Sequence, residues 1–155
     1  MNTVSIQAKA HHPAGFGALI GQVRSELTRA GRKAFEAHGV GLNYSQIEAV
    51  RRLAALGPMS AGELAKSLCY DAGALTRMLD QLEQRGYLER HPHPDDRRAL
   101  RIVLSRSGSA LGEQLIAISE DVLDHALSDL SEEEQRQLAD YMRRMLATLR
   151  AESAH

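Results

Sequence analysis

A short pattern between residues 85 and 104 constrains the fold of this chain more than any other. Arg85-Gly86 closes a segment with helical spacing of apolar residues, and residues 87–90 and 100–104 then alternate apolar and polar side chains as paired strands do. Between these strands lies Pro94-Asp95-Asp96-Arg97-Arg98, a turn-forming run with two acids and two arginines. The sequence therefore predicts a helix that leads directly into a β-hairpin with a basic tip.

Three pairs of serine and glutamate, each separated by two residues, predict the starts of further helices. They are Ser45-x-x-Glu48, Ser60-x-x-Glu63 and Ser131-x-x-Glu134, in which the hydroxyl can accept from the first free amides and the carboxylate can reach back. Apolar spacing predicts a first helix over residues 16–37, a fifth over about 107–129 and a sixth after residue 131. Six helices and one hairpin account for most of the chain.

Residues 60–85 have the pattern of two helices joined by a tight turn. Cys69-Tyr70-Asp71 forms the turn, and Asp71 is placed to cap the second helix. The inward stripe of that helix is Leu75, Met78, Leu79 and Leu82. Together with the hairpin, this predicts a mainly α fold with a small β-hairpin, a winged helix-turn-helix with N- and C-terminal dimerisation helices.

The fifth and sixth helices carry apolar stripes that are too wide for one small protomer to cover. We therefore expect a homodimer whose interface includes the following residues: Phe16, Leu19, Ile20, Leu138, Met142, Met145 and Leu149. The expected organisation is one domain over residues 1–155. It comprises a DNA-binding lobe at about 42–106 and dimerisation helices at about 15–38 and 107–152.

Charge and composition limit the class of protein. The net charge of the 155 residues is −1, but residues 85–106 hold six arginines against three acids, whereas residues 107–155 hold four arginines against ten acids. This uneven distribution favours a local contact with phosphates, because charge interactions are screened beyond about 8 to 10 Å. There is no apolar run long enough to span a membrane and no signal peptide core at the N-terminus, so we expect a cytoplasmic protein.

Residues 63–108 resemble the multiple-antibiotic-resistance regulator (MarR) family of bacterial transcription factors. The wing of that family carries an Asp-x-Arg, which falls here on Asp96 and Arg98. The resemblance implies that Arg98 enters the minor groove of DNA while Asp96 holds it in place, and we expect Arg97 to meet a phosphate. Ser105 stands where the family usually has Thr, and Ala72-Gly73-Ala74 replaces a more polar start of the recognition helix.

The second helix of the motif is expected to enter the major groove with its first turns. Ala72, Gly73 and Ala74 can supply only close backbone approach and contact with thymine methyl groups, so base readout falls to Thr76 and Arg77. A phosphate contact is an equally good role for Arg77. Ser60 can donate to a phosphate, although capping alone also explains it.

The sequence offers no catalytic or metal site, and we expect no enzyme activity and no cofactor. None of the seven histidines has zinc-ligand spacing, and His91-x-His93 is better explained as solvent-facing spacing in the wing. Cys69 has two interpretations: a small buried residue in the turn, which we favour, or a thiol whose oxidation displaces the recognition helix.

The expected function is a sequence-specific DNA-binding transcriptional regulator, a repressor released from a pseudo-palindromic operator by an effector. The resemblance implies a small, often aromatic or anionic effector in a crevice near helices 1, 2 and 5, and His38 and Ile47 are the expected lining residues. Two alternatives stay open: a cysteine-based redox-sensing regulator, and a winged-helix protein-interaction module that does not bind DNA.

Overall fold

A computed structural model describes residues 15–93, residue 95 and residues 100–152. Within these ranges the chain forms six helices and three short strands. In chain order they are α1 (Phe16–Ala37), α2 (Tyr44–Leu56), β1 (Met59–Ser60), α3 (Ala61–Leu68), α4 (Ala72–Gln84), β2 (Leu88–Pro92), β3 (Leu100–Leu104), α5 (Arg106–Ala126) and α6 (Glu132–Glu152). The predicted mainly helical fold with a small β-hairpin is confirmed.

The sheet is antiparallel and has the strand order β1-β3-β2. The predicted hairpin corresponds to β2 and β3, with Arg90 opposite Ile102. The third strand, β1, was not predicted. It has two residues and pairs Met59 with the same Ile102. A strand of that length shows no alternation of side chains, so only the tertiary pairing reveals it.

Two of the three predicted capping boxes are confirmed and one is wrong. The amide of Glu63 donates to the Ser60 hydroxyl at 3.2 Å, and the amide of Glu134 donates to the Ser131 hydroxyl at 3.3 Å. α2 instead begins at Tyr44, because Asn43 forms the box. Its side-chain oxygen accepts from the amide of Gln46 at 2.9 Å. Ser45 therefore lies inside the helix. Asparagine caps a helix as well as serine does, and Asn43 comes two residues earlier in the chain.

The core is formed where α2, α3, α4, the sheet and α5 meet. The predicted stripe of α4, Leu75, Met78, Leu79 and Leu82, is buried there. α5 packs against both α1 and α2. At its crossing with α2, a Cβ added to Gly112 would lie 2.7 Å from the Cβ of Ala54, so the glycine sets how closely these two helices approach.

The start of α5 is fixed to the turn that follows α4. The Ser105 hydroxyl caps α5 and donates to the carbonyl of Gly86 at 2.6 Å, and the Ser107 hydroxyl donates to the same carbonyl at 2.7 Å. α5 begins at Arg106 and ends at Ala126, slightly earlier at both ends than predicted. The start of α5 and the end of α4 therefore share one junction.

The two terminal helices leave apolar side chains in solvent. No residue of α6 is buried, and the first half of α1 is exposed as well. Phe16, Leu19 and Ile20 are 38%, 55% and 43% exposed. Among the residues the structure describes, no helix is both long and apolar enough to cross a membrane.

Candidate nucleic-acid interface

The outer face of α4 has the geometry expected of a DNA-reading surface. Ala72, Gly73, Thr76 and Arg77 are all exposed, and Ala74 is half-buried. Asp71 caps the helix, because its side-chain oxygen accepts from the amide of Ala74 at 2.9 Å. The inward stripe holds the helix against the core, so the opposite face is presented to solvent.

The first turn of this face is small and allows close approach of the backbone. A Cβ on Gly73 would lie 3.3 Å from a carboxylate oxygen of Asp71, so even alanine would crowd the cap. One turn later, the Thr76 hydroxyl donates to the carbonyl of Ala72 at 2.9 Å. It keeps its lone pairs as acceptors, whereas the exposed guanidinium of Arg77 offers donors. These two side chains supply complementary polar groups on one surface.

A groove beside Arg77 contains polar residues that we had not expected at the site. It is lined in part by Ser45 in the first turn of α2, by Tyr70 in the turn before α4 and by Gln81 on α4. The hydroxyl of Tyr70 lies 3.5 Å from that of Ser45. The only sequence signal was an aromatic hydroxyl directly before the helix cap. The tertiary fold brings Ser45 to it from 25 residues away.

Ser60 lies at the edge of this lobe with its polar groups already engaged. It is half-buried in β1, and its hydroxyl and amide complete the capping box with Glu63. Hydrogen bonds from Ser60 hold the pKa of Glu63 below its ordinary value. Capping therefore accounts for Ser60, and its phosphate contact stays a prediction.

The predicted tip residues Asp96, Arg97 and Arg98 lie outside the described residues, but the base of the wing is described. β2 and β3 are antiparallel, with Pro92 opposite Leu100. Near the tip end of the strands, Arg101 of β3 donates to the carbonyl of Pro58 at 2.9 Å, which ties the wing to the residue before β1. The hairpin is therefore anchored to the same lobe as α4.

Cys69 is exposed, so the expectation of a buried residue was wrong. It forms the C-cap of α3 in the left-handed conformation, with φ 52°, and this turn directs the side chain to solvent. In the described ranges, no group of three or more His, Cys, Asp or Glu residues is arranged to hold a metal ion. His91 instead lies 2.7 Å from a carboxylate oxygen of Glu89.

The expected effector residues are separated in the fold. Ile47 is 3% exposed in the core, and His38 lies at the end of α1, where it lines an apolar groove between α1 and α5. A different crevice, of about 260 Å³, opens among α1, α2 and α5. Its polar lining residues are Arg24, Thr28, Tyr44, Arg51 and Ser119. The effector roles of His38 and Ile47 stay predictions.

Two arginines, Arg24 and Arg51, line this crevice, and Arg32 lies beside it. Arg51 donates to Glu48 at 2.6 Å through one terminal nitrogen, while its Nε is buried and has no hydrogen-bond partner in the described part of the protein. Arg32 lies over the ring of Tyr44, with 4.6 Å between the guanidinium carbon and the ring centroid. A buried N–H without a partner costs free energy in the folded protein.

The remaining predicted interface residues lie on the exposed faces of the terminal helices. Leu138, Met142, Met145 and Leu149 of α6 are all exposed, as are the three predicted residues of α1. The residues predicted for the dimer interface are therefore all accessible in the single chain.

A helix-turn-helix formed by α3 and α4, together with a three-stranded sheet whose hairpin β2–β3 forms a wing, defines a winged-helix protein. The model of the MarR family matches residues 42–100. The chain is 36% identical over 85 residues to the multiple antibiotic resistance protein MarR of Escherichia coli, covering 54% of this chain and 59% of that protein. It spans about half the length of the MarR proteins of Salmonella that it matches.

Two further comparisons extend over more of the chain. The organic hydroperoxide resistance transcriptional regulator of Bacillus subtilis is 30% identical over 110 residues, which is 71% of this chain and 74% of that protein. A crystal structure of a mutant Escherichia coli MarR complexed with operator DNA matches with a TM-score of 0.69 and 28% identity, covering 86% of this chain and 94% of that one. The chain belongs to the MarR family.

Proposed function

We propose that this protein is a transcriptional regulator that binds double-stranded operator DNA as a homodimer and acts in the cytoplasm as a ligand-released repressor. The observation that carries the proposal is the exposed outer face of α4, where Thr76 and Arg77 stand on a helix whose opposite face is buried. A helix of this kind fits the major groove of B-DNA, and its side chains reach the base edges. The related MarR protein solved with operator DNA supports the same role.

The DNA contact is proposed to extend on both sides of α4. Ser45 and Tyr70 offer hydroxyls beside Arg77, and Asn43 and Tyr44 at the start of α2 line the same groove. Hydroxyls and helix N-termini are frequent partners of phosphate oxygens. At the wing, by family resemblance, Arg98 enters the minor groove with Asp96 as its support, and Arg97 meets a phosphate.

Selection of bound fragments from genomic DNA, followed by footprinting, tests this function. We expect a pseudo-palindrome whose half-site centres lie about 10 bp apart, as one helical turn requires. Arg77→Ala and Arg98→Ala should each weaken operator binding by about 1 to 3 kcal/mol without changing the fold. Arg136→Ala on α6, where the arginine pairs with Glu133, removes the same charge away from α4 and serves as the control.

Arg97→Ala is expected to behave differently, because a phosphate contact carries no sequence information. It should weaken binding to all sequences alike and reduce the logarithmic salt slope by about 1. An unchanged slope would contradict the phosphate role. If the wild-type protein captures no DNA and is not retained on heparin in a salt-dependent way, a protein-interaction module without DNA binding is the better description.

The homodimer is proposed from the exposed apolar faces of α1 and α6. Met142 and Met145 are 54% and 40% exposed on a helix that has no buried residue. A second copy of the chain would cover these surfaces and supply the twofold symmetry that a pseudo-palindrome needs. A chain truncated after Leu130 should aggregate or unfold, and a soluble monomer that still protects the full site would contradict this arrangement.

The effector is proposed to be a small aromatic acid bound in the crevice lined by Arg24, Tyr44 and Arg51. Its volume of about 260 Å³ accommodates a single substituted ring. The guanidiniums of Arg24 and Arg51 would pair with the carboxylate. Because α1, α2 and α5 all contribute to the lining, a ligand there contacts both the dimer helices and the DNA-binding lobe.

A panel of aromatic acids tests this crevice. A true effector should raise the melting temperature of the protein and lower its DNA affinity. The coupling must be reciprocal, so a tenfold loss of DNA affinity requires tenfold weaker effector binding to the DNA complex, about 1.4 kcal/mol. Arg51→Gln should reduce both effects. If His38→Gln reduces them and Arg51→Gln does not, the effector binds in the neighbouring groove that His38 lines.

Redox control is the second candidate, because Cys69 is exposed two residues before the cap of α4. Oxidation there would add bulk and polarity to the turn that positions the reading helix. Release of DNA by a peroxide that disappears in Cys69→Ser would favour the thiol sensor over the ligand-released repressor.

A further inference from the structure

Arg90 joins the two structural elements that flank the proposed DNA contacts. It lies on β2, and its guanidinium forks between two carboxylates of α4, with 2.6 Å to Asp80 and a second ion pair to Glu83. Asp80 and Glu83 are three residues apart and so lie on one face of the helix. The side chain of Arg90 is 23% exposed, which makes it the most buried partner of the three.

The location of Arg90 in the strand makes this link effective. Leu88, Arg90 and Pro92 alternate onto one face of β2, and Leu88 on that face is buried in the core. The Cα of Arg90 pairs with that of Ile102, at the centre of the sheet. The guanidinium therefore connects the second half of α4 to β2, the strand of the wing that pairs with the central strand β3.

The chain itself gives a shorter connection between the same elements. Residues 85–87 turn the chain out of α4, with Gly86 at φ 76° and the amide of Tyr87 donating to the carbonyl of Leu82 at 3.0 Å. This closure fixes the exit of the chain from the helix. Beyond this turn, the direction of the hairpin relative to α4 depends on contacts between β2 and α4. The ion pairs of Arg90 with Asp80 and Glu83 are polar contacts of this kind.

We infer that Arg90 is a positioning residue for DNA binding, which sets the angle between the reading helix and the wing by holding Asp80 and Glu83. The inference rests on the proposed function. Thr76 and Arg77 lie about one turn before Asp80 in α4, and the wing tip lies a few residues beyond Arg90. Two contacts in adjacent grooves must match the spacing of the DNA together, so the angle between them controls specific affinity.

A purely stabilising role explains the network less well. Asp80 and Glu83 are 51% and 39% exposed, and exposed ion pairs contribute little to stability because water screens them and the side chains lose freedom. A planar guanidinium held by two carboxylates nevertheless fixes direction, which an ammonium group does not. These ion pairs therefore fix the orientation of the guanidinium more than they stabilise the fold.

Arg90 could also act only through charge, by neutralising two acids near DNA, and two variants separate the possibilities. Arg90→Lys keeps the charge and removes the fork. The double variant Asp80→Asn with Glu83→Gln keeps the shapes of the two side chains and removes two negative charges. The matched control is Glu113→Gln with Asp124→Asn on α5, which changes the net charge equally at two exposed positions.

The measurement is the ratio of operator affinity to affinity for a scrambled duplex, at several salt concentrations, with the operator selected from genomic DNA. The positioning role predicts that this ratio falls about tenfold in both Arg90→Lys and the double acid variant, as it would on losing one base contact, while the control pair keeps it. The melting temperature should change little in any of the variants. If Arg90→Lys equals wild type and the double acid variant binds both duplexes more tightly, charge alone explains the network and the positioning role is wrong.

Failure of the proposed function and failure of the positioning role give different experimental results. If the wild-type protein selects no operator, the proposed function is wrong and the role of Arg90 is wrong with it. If the wild-type protein selects an operator but the ratio in both variants stays within about twofold of wild type, only the positioning role is wrong. The double acid variant also covers the case in which Arg90→Lys does not fold, because it leaves Arg90 in place.

Discussion

Replacing Gly108 by alanine tests the junction between α5 and the turn after α4 most directly. A Cβ added to Gly108 would lie 1.8 Å from the carbonyl oxygen of Tyr87 and 3.3 Å from a methyl of Leu104. An ordinary carbon to oxygen contact is about 3.3 Å or more, so the backbone on one side must move by roughly 1.5 Å. Both neighbours are parts of the core or its edge, and neither is the flexible end of a long side chain.

The size of the effect follows from the hydrogen bonds that this movement breaks. The amide of Ser105 donates to the carbonyl of Tyr87 at 3.1 Å, and the hydroxyls of Ser105 and Ser107 donate to Gly86. Three lost hydrogen bonds cost about 3 kcal/mol, and the better helix propensity of alanine returns about 1 kcal/mol. We therefore expect the free energy of unfolding to fall by about 2 kcal/mol, and by up to about 4 kcal/mol if the strain is not relieved.

Urea unfolding followed by circular dichroism, at one fixed protein concentration, measures this loss. Gly62→Ala is the matched control, because a Cβ there meets only the Ser60 hydroxyl at 4.0 Å. The control should be neutral or slightly stabilising, since alanine favours the helix. If Gly108→Ala unfolds at the same urea concentration as the control or higher, the close approach of α5 to residue 87 is not a feature of the folded protein.

Three further outcomes are expected. Gly112→Ala should lower the free energy of unfolding by about 1 to 3 kcal/mol in the same urea assay. The added Cβ would lie 2.7 Å from the Cβ of Ala54 and would push α2 away from α5. An unchanged urea midpoint would contradict this packing. Gln46→Leu should lower the free energy of unfolding by about 1 to 3 kcal/mol, measured by thermal unfolding. Gln46 is 5% exposed and its amide joins α2 to Gln81 of α4, so its loss leaves polar partners unsatisfied. A more stable variant would show that this hydrogen bond is dispensable. Glu63 has a pKa below its ordinary value of 4.5, so its cap contributes stability above about pH 4.5 that is lost as the pH falls through the lowered pKa. Glu63→Gln should flatten the pH dependence of stability in that acid range, and an unchanged slope would show that the cap does not contribute.

The sequence determined the order and type of the main elements, because these depend on local rules. The spacing of apolar residues specified six helices, and Asp71, Ser60 and Ser131 capped helices as expected. Alternation across residues 100–104 specified β3. The outward face of α4, with Thr76 and Arg77, followed from its inward stripe alone. Periodicity and capping act within a few residues, so they can be read directly from the chain.

Local rules failed where two signals competed or where a segment was too short. Ser45 and Asn43 both suit a helix cap, and the choice of Asn43 depends on how α2 packs, with Gln46 reaching Gln81 of α4 at 3.0 Å. The exposure of Cys69 depends on the left-handed conformation of its own backbone, which the residue type does not predict.

Only the tertiary structure decided which distant residues meet. Arg90 reaches Asp80 across the turn after α4, Ser45 approaches Tyr70, and Tyr44, Arg51 and Arg24 come together from two helices around one crevice. None of these neighbours follows from spacing along the chain, because each depends on the angles at which packed elements cross. The sequence alone determined the six helices and the hairpin of this protein, whereas the packing of these elements decided which of their faces share a site.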